Sequence, residues 1–262
     1  MIKPRHIGII GYGAIGRQLA ALLQRQAGYR VSVFVRSNPA SYADPETDFV
    51  SSFDEFLAAR PDAIVEAASA AAFVALVPRC LDQGIDVIAA SIGALSAPDT
   101  LQLVTDICEG SGARLIMPSG SIGGLDYLAA AALVGDAMVT YTSRKPPAAW
   151  RAELAGLALT DTVKDEAVTL FEGTAAAAAA LYPKNLNAGL TIALAIGMDR
   201  TRVRVVADPH VVDNTHEIEV VSHAGRASMR FENTPSPNNP KTSAITAFSL
   251  AAAVIRKFNN QF

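Results

Sequence analysis

Cysteine is scarce in this chain of 262 residues: Cys80 and Cys108 are the only two, far apart and each set in an apolar helical pattern. Two thiols at that separation exclude CxxC metal spacing and fit buried free thiols in a reducing compartment. Histidine is nearly as sparse. His6, His210, His216 and His223 show no HxxxH spacing, so no metal is expected. Charged residues make up 18% of the chain, net charge is −3, and the basic residues form no stripe. That leaves no electrostatic case for nucleic acid or for an anionic membrane. Uninterrupted apolar runs of about 18 residues are missing, which argues against a membrane span. A glycine turn interrupts the N-terminal apolar stretch, so no signal region is expected and a cytoplasmic location is. There is no G-x-S-x-G elbow, no Walker lysine and no internal repeat, and the serines of 118–121 have no nearby base in sequence.

Glycine, by contrast, is placed with purpose. Gly11, Gly13 and Gly16 fall in GYGAIG (11–16), directly after the apolar run 7–10 and before a helix-like stretch, 17–26. Gly11 suits a tight turn, Gly13 a close backbone approach to phosphate, and Gly16 the packing of helix on strand. With Ala14 and Ile15 they form the strand, turn and helix start that cradle a dinucleotide pyrophosphate at a positive helix end. The next expected strand, 31–35, ends in Arg36-Ser37-Asn38 with no carboxylate. In dinucleotide folds an acidic residue roughly 20 positions beyond the turn holds the ribose 2′-hydroxyl. Arg36 would instead pair with a 2′-phosphate, and Ser37 would donate to it, so NADP is expected, with NAD also accepted.

Up to about residue 118, strand-like runs (7–10, 31–35, 63–66, 87–90, 114–117) alternate with helical ones (17–26, 53–59, 71–83, 98–109). This spacing predicts parallel βαβ units: a Rossmann-type sheet domain over 1–118. The rhythm then changes. A loop (118–124) and an apolar helix (125–134) lead to strand-like segments 137–142, 202–207, 215–222 and 227–231, the last two forming a hairpin about Ala224-Gly225. A second, smaller α/β domain with a mixed or antiparallel sheet is expected over 119–240. Residues 174–181, almost pure alanine, read as a helix. The proline- and asparagine-rich 232–241 reads as irregular, and 241–262 as a C-terminal helix returning to the first domain.

A dehydrogenase needs a proton donor and acceptor, and histidine matches neutral pH best. By position, His6 reads as a surface residue and His223 lies near the hairpin turn. His216, where a loop becomes a strand in DNTHE, is the leading candidate, with His210 next. Asn214 shares its strand face if the segment is extended, whereas Glu217 alternates to the other. An anionic substrate group is held by cations or N–H donors. Lys241, Thr242 and Ser243, read as leading into the last helix, offer an ammonium, hydroxyls and a helix end; Arg144 and Lys145 are weaker candidates.

The ordered motifs GYGAIG (11–16), EAAS (66–69), SIGAL (91–95), PSGSIGGLD (118–126), TSRKPP (142–147), YPKNLNAG (182–189), ADP (207–209), NTHEIEV (214–220) and ENTPSPNNPKTS (232–243) together resemble the L-aspartate dehydrogenase family. The resemblance implies a homodimer of two-domain subunits, with a Rossmann domain for NAD(P) and a smaller domain for substrate and dimer contacts. It implies reversible oxidative deamination of L-aspartate, through iminoaspartate, to oxaloacetate and ammonia, serving pyridine nucleotide biosynthesis or aspartate metabolism. The family's active-site histidine falls on His216, and its cofactor-contacting positions on Ser121 and Asn187. Where Ser121 stands the family usually has alanine; serine adds one hydroxyl and leaves a backbone contact intact. Ala68, Ser69 and Ser91, from EAAS and SIGAL, complete the expected cofactor set. Related dehydrogenases of the homoserine dehydrogenase or dihydrodipicolinate reductase type are the rival reading, but the latter's paired-histidine motif is absent. A non-catalytic NADP-binding sensor would keep the glycine turn and have no need of His216, Asn187 and Lys241.

Overall fold

The computed structural model describes residues 4–42, 44–182, 187–237 and 239–259, and the side chains of 179, 180, 240 and 241 lie outside that description. The chain divides into two compact units, one of residues 1–118 with 246–262, the other of residues 119–245. No helix among the described residues is long and apolar enough to cross a membrane.

The first unit alternates strands and helices: β1 (Arg5–Ile10), α1 (Ala14–Gln24), β2 (Tyr29–Phe34), β3 (Thr47–Val50), α2 (Phe53–Ala58), β4 (Ala63–Glu66), α3 (Ala70–Asp82), β5 (Val87–Ala89), α4 (Pro98–Ser111) and β6 (Leu115–Ile116). The strands form one parallel sheet in the order β3-β2-β1-β4-β5-β6. This is the doubly wound order, in which the chain, after adding strands on one side of β1, returns and adds β4 and its successors on the other side. Both faces of such a sheet are covered, which is why β1 and β4 read as continuous apolar runs. Ile7, Ile9, Ile10, Ile64 and Val65 are all buried. Strand β3, half polar and only four residues long, carries no period-2 signal and escaped the sequence reading. Helix α4 passes through Gly110 to Ser111 and is closed by Gly112 in the left-handed region.

The second unit comprises α5 (Leu125–Ala132), β7 (Met138–Lys145), α6 (Arg151–Gly156), β8 (Val168–Thr174), α7 (Ala175–Leu181), α8 (Asn187–Ile196), β9 (Thr201–Ala207), β10 (Asn214–Ser222), β11 (Gly225–Asn233), β12 (Pro235–Ser236) and β13 (Asn239–Ser243). Its main sheet runs β11-β10-β7-β9-β8, with β7 and β9 parallel and the other pairs antiparallel. Helix α8 packs on β7 and β9, with α5 and α7 against it. The alanine run is a helix as expected, capped by Thr174 Oγ1, which accepts from Ala177 N at 3.2 Å. Its small side chains let α7 lie close on β8, β9 and α8. The proline-rich stretch is not irregular: Glu232 and Asn233 finish β11, and β12 pairs with β13 in a two-stranded ribbon.

The last helix, α9 (Ile245–Phe258), starts at 245 rather than near 242. Leu250, Ala251, Ala253 and Val254 enter the first unit's core with Ile7, Leu19 and Val31. Asp86 fastens its end, bonding both Lys257 Nζ and, at 2.9 Å, Arg114 Nη2.

Helix α1 approaches β1 so closely that a Cβ on Gly16 would sit 2.1 Å from the carbonyl oxygen of Gly11, whereas one on Gly13 would meet nothing within 4 Å. Gly16→Ala should therefore cost about 2 kcal/mol or more, because backbone must shift. Gly13→Ala, at an ordinary negative φ, should leave Tm unchanged or slightly raised. Differential scanning calorimetry of the two variants checks the contrast.

Candidate active site

In the first unit the glycine turn follows β1, beside the end of β4. Gly11 has φ +96°, and a Cβ there would lie 2.7 Å from that of Ala68, so only glycine fits. Gly13 is the N-cap of α1, with no side chain capping the helix and no acidic residue in its first turn. Ala14 and Ile15 open the helix, and its N-terminal N–H groups carry the partial positive charge an anion seeks. These residues fit a dinucleotide: backbone is exposed where phosphate would approach, and a Cβ is excluded where helix, turn and strand converge.

Arg36, just past β2, is exposed and makes no ion pair with any described residue. Ser37 Oγ is 2.7 Å from Tyr42 Oη, and Asn38 Oδ1 accepts from Ala40 N at 3.0 Å. Ala68, Ser69 and Ser91 converge on a residue the sequence reading passed over. Glu66, fully buried at the end of β4, accepts from Ala68 N (2.8 Å), Ser69 N (3.1 Å) and Ser91 Oγ (2.9 Å) through Oε1, and from Ser91 N (2.9 Å) through Oε2. Burial pushes the Glu66 carboxyl up, and these four hydrogen bonds pull the other way. Ser69 Oγ is itself the N-cap of α3, accepting from Ala72 N.

In the second unit the register of β7, β10 and β11 builds the site. His216 faces Ser143 on β7 and Phe231 on β11, and Ile218 faces Tyr141. Alternation therefore puts Tyr141, Ser143 and Lys145 on the same sheet face as Asn214 and His216. All five are buried. Tyr141 Oη lies 2.7 Å from His216 Nδ1, with the two rings inclined by only 11°. Burial, then the charge of Lys145, lowers the His216 pKa from its ordinary 6.5 to about 3, so the imidazole is neutral. Burial likewise holds the Tyr141 phenol protonated, well above its ordinary range. Lys145 Nζ stands 5.5 Å from the centroid of the Trp150 ring.

The loop of 119–124 lies against this strand end. Asn233, opposite Asn214 in register, donates through Nδ2 to the Ser121 carbonyl at 2.8 Å, and a Cβ on Gly123 would touch the Phe231 ring. Asn187 begins α8, which packs on α5, while residues 183–186 lie outside the described set.

The other histidines stand elsewhere. His6 is not at the surface: it belongs to β1, buried, with Nε2 2.8 Å from Ser32 Oγ and Nδ1 2.9 Å from Arg30 Nη2. His210 is exposed and reaches the Asp165 carbonyl, and His223 pairs with Asp136 at the hairpin turn. Thr242 and Ser243 do not form a helix N-terminus. They belong to β13, where Asn239 Nδ2 donates to Thr242 Oγ1 at 3.0 Å; Lys241 shares the strand, but its side chain is not described. Arg144 points to the opposite sheet face, bonded to Asp208 (2.9 Å) and Glu217 (3.1 Å). Tyr141 and Ser143 were missed because their relation to His216 exists only through strand pairing 75 and 73 positions apart.

A doubly wound sheet with an open glycine turn, joined to a mixed-sheet unit enclosing a neutral histidine, defines a dinucleotide-dependent oxidoreductase. Residues 11–118 match the family model described as "Homoserine dehydrogenase, NAD binding domain", and residues 126–257 match "Aspartate dehydrogenase, C-terminal". The chain is 42% identical over 255 residues to L-aspartate dehydrogenase 2 of Bordetella pertussis, covering 95% of this chain and 96% of that one. It is 36% identical over 258 residues to the L-aspartate dehydrogenase of Cupriavidus taiwanensis, with 95% and 96% covered. The crystal structure of aspartate dehydrogenase from Thermotoga maritima shares the fold, with TM-score 0.79, 24% identity and 98% of each chain covered. The chain belongs to the L-aspartate dehydrogenase family.

Because folding depresses the His216 pKa, the neutral ring contributes stability above about pH 6.5, and that contribution is lost as pH falls from there toward about 3. Urea unfolding across this window should show a shallower loss of stability in His216→Gln than in the wild type.

Proposed function

We propose that this protein catalyses the reversible, NAD(P)-dependent oxidative deamination of L-aspartate, through iminoaspartate, to oxaloacetate and ammonia, with His216 moving the proton. The observation that carries the reading is the His216 imidazole, neutral, enclosed by strands and hydrogen-bonded through Nδ1, in a chain whose other unit holds the glycine turn.

Gly11, Gly13, Ala14, Ile15 and Gly16 would hold the pyrophosphate and Arg36 with Ser37 the adenosine ribose, while Ala68, Ser69, Ser91, Ser121 and Asn187 would supply the remaining cofactor contacts. A nicotinamide held there would supply hydride chemistry at the substrate α-carbon. In deamination His216 accepts a proton from the attacking water or the substrate amine. In the reverse direction it protonates the carbinolamine oxygen, which leaves as water. Tyr141 suits both states, because a hydroxyl donates to a bare Nδ1 and accepts from Nδ1–H. Asn214 orients the substrate from the same face. The assembly we infer is a homodimer, on the strength of the family resemblance.

His216→Ala should lower kcat for NADPH oxidation with oxaloacetate and ammonium by roughly 10²–10⁴, with NADPH affinity, read by fluorescence titration, unchanged. Retained turnover would assign the proton transfer to another group. Replacing Arg36 by Asp removes a cation and adds a repelling charge. The ratio of kcat/KM for NADPH over NADH should fall roughly tenfold or more; an unchanged ratio would remove Arg36 from the 2′-phosphate site.

A further inference from the structure

We propose that Ser143 and Lys145 form the site that grips a carboxylate of the four-carbon substrate, the hydroxyl donating one hydrogen bond and the ammonium supplying the countercharge. This rests on the reaction read above and names the residues of the second unit that recognise its substrate.

Ser143 is fully buried, and its Oγ, near the Tyr141 phenol, completes no well-formed hydrogen bond among the described residues. A buried hydroxyl left unmatched is costly, and native proteins keep few of them without a use. It sits directly across the β7–β10 pair from His216, at a spacing where opposed side chains meet. Two residues on, Lys145 shares the face and is 4% exposed. Its charge also reaches the imidazole, being the second cause of the low His216 pKa. An anion seated beside Lys145 therefore offsets that repulsion, and the ring gains proton affinity when substrate arrives. Sequence neighbours offer no rival on this face, since Arg144 is turned away and matched by Asp208 and Glu217.

Ser143→Ala and Lys145→Met test the assignment, through steady-state kinetics with oxaloacetate and ammonium and through calorimetric titration of the intact protein with succinate. Ser143→Ala deletes a hydroxyl that completes no well-formed hydrogen bond among the described residues, so its Tm should equal or exceed that of the wild type. Its KM for oxaloacetate and Kd for succinate should rise roughly tenfold, with kcat changing much less. Lys145→Met should raise both roughly a hundredfold. Affinities within about twofold of wild type in a folded Ser143→Ala would overturn the proposal. If wild-type protein turns over no oxaloacetate, the reaction reading fails, and the succinate titrations still decide the carboxylate site: binding lost in the variants upholds it, equal binding or none in the wild type removes it.

Discussion

The second unit is organised around one hydrogen bond, Tyr141 Oη to His216 Nδ1. Burial keeps the imidazole neutral, and its ring nitrogens then need partners that do not demand charge. A phenol that burial keeps protonated meets that condition. The surroundings supply the burial: Ile218 and Val220 continue β10, Val139 precedes Tyr141 on β7, and Val203 and Val205 lie beyond on β9, all of them buried. Sheet register, rather than any local sequence motif, fixes the two rings together. A one-residue slip of β10 against β7 would turn His216 to the outer face and bring Glu217 inward.

That outer face shows how differently alternate residues are treated. Arg144, Glu217, Arg230 and Glu232 form a partly exposed ion-pair ladder across β7, β10 and β11. Exposed pairs of this kind contribute about 0–1 kcal/mol each, and they keep the face polar more than they hold the sheet together. The inner face carries Lys145, adjacent in sequence to Arg144 but enclosed against Trp150. Strand alternation thus sorts two neighbouring cations onto opposite faces, one in a partly exposed ion-pair ladder and the other enclosed.

The parallel sheet of the first unit was legible because its strands are apolar runs between glycine, capping serine and helical patterns. Five of its six strands follow from that rhythm; β3 does not, because TDFV at a sheet edge buries little. The second unit was read less completely. Helix α8 is apolar on nearly every side, which erases the 3.6-residue period, and β8 is half exposed. In 232–243, proline and asparagine suggested loop where the chain pairs with itself, since Pro235 lies in a two-residue edge strand that asks little of its missing N–H. His216 was accessible from its loop-to-strand junction and Asn214 from strand periodicity. Tyr141 and Glu66 bond partners distant in sequence or backbone N–H groups, Ser143 is set opposite His216 by strand register alone, and no spacing rule reveals these relations.

Glu66 has a further consequence for how the first unit sorts charge. Two helices, α1 and α3, begin at the same edge of the sheet after β1 and β4, and each presents a positive pole there. At α3 that pole faces the protein's own carboxylate and the Ser69 hydroxyl, which take up the N–H groups of Ala68, Ser69 and Ala72. At α1 no side chain intervenes. A diphosphate approaching this edge would find the α3 pole already taken up by Glu66 and Ser69, and only the α1 pole open.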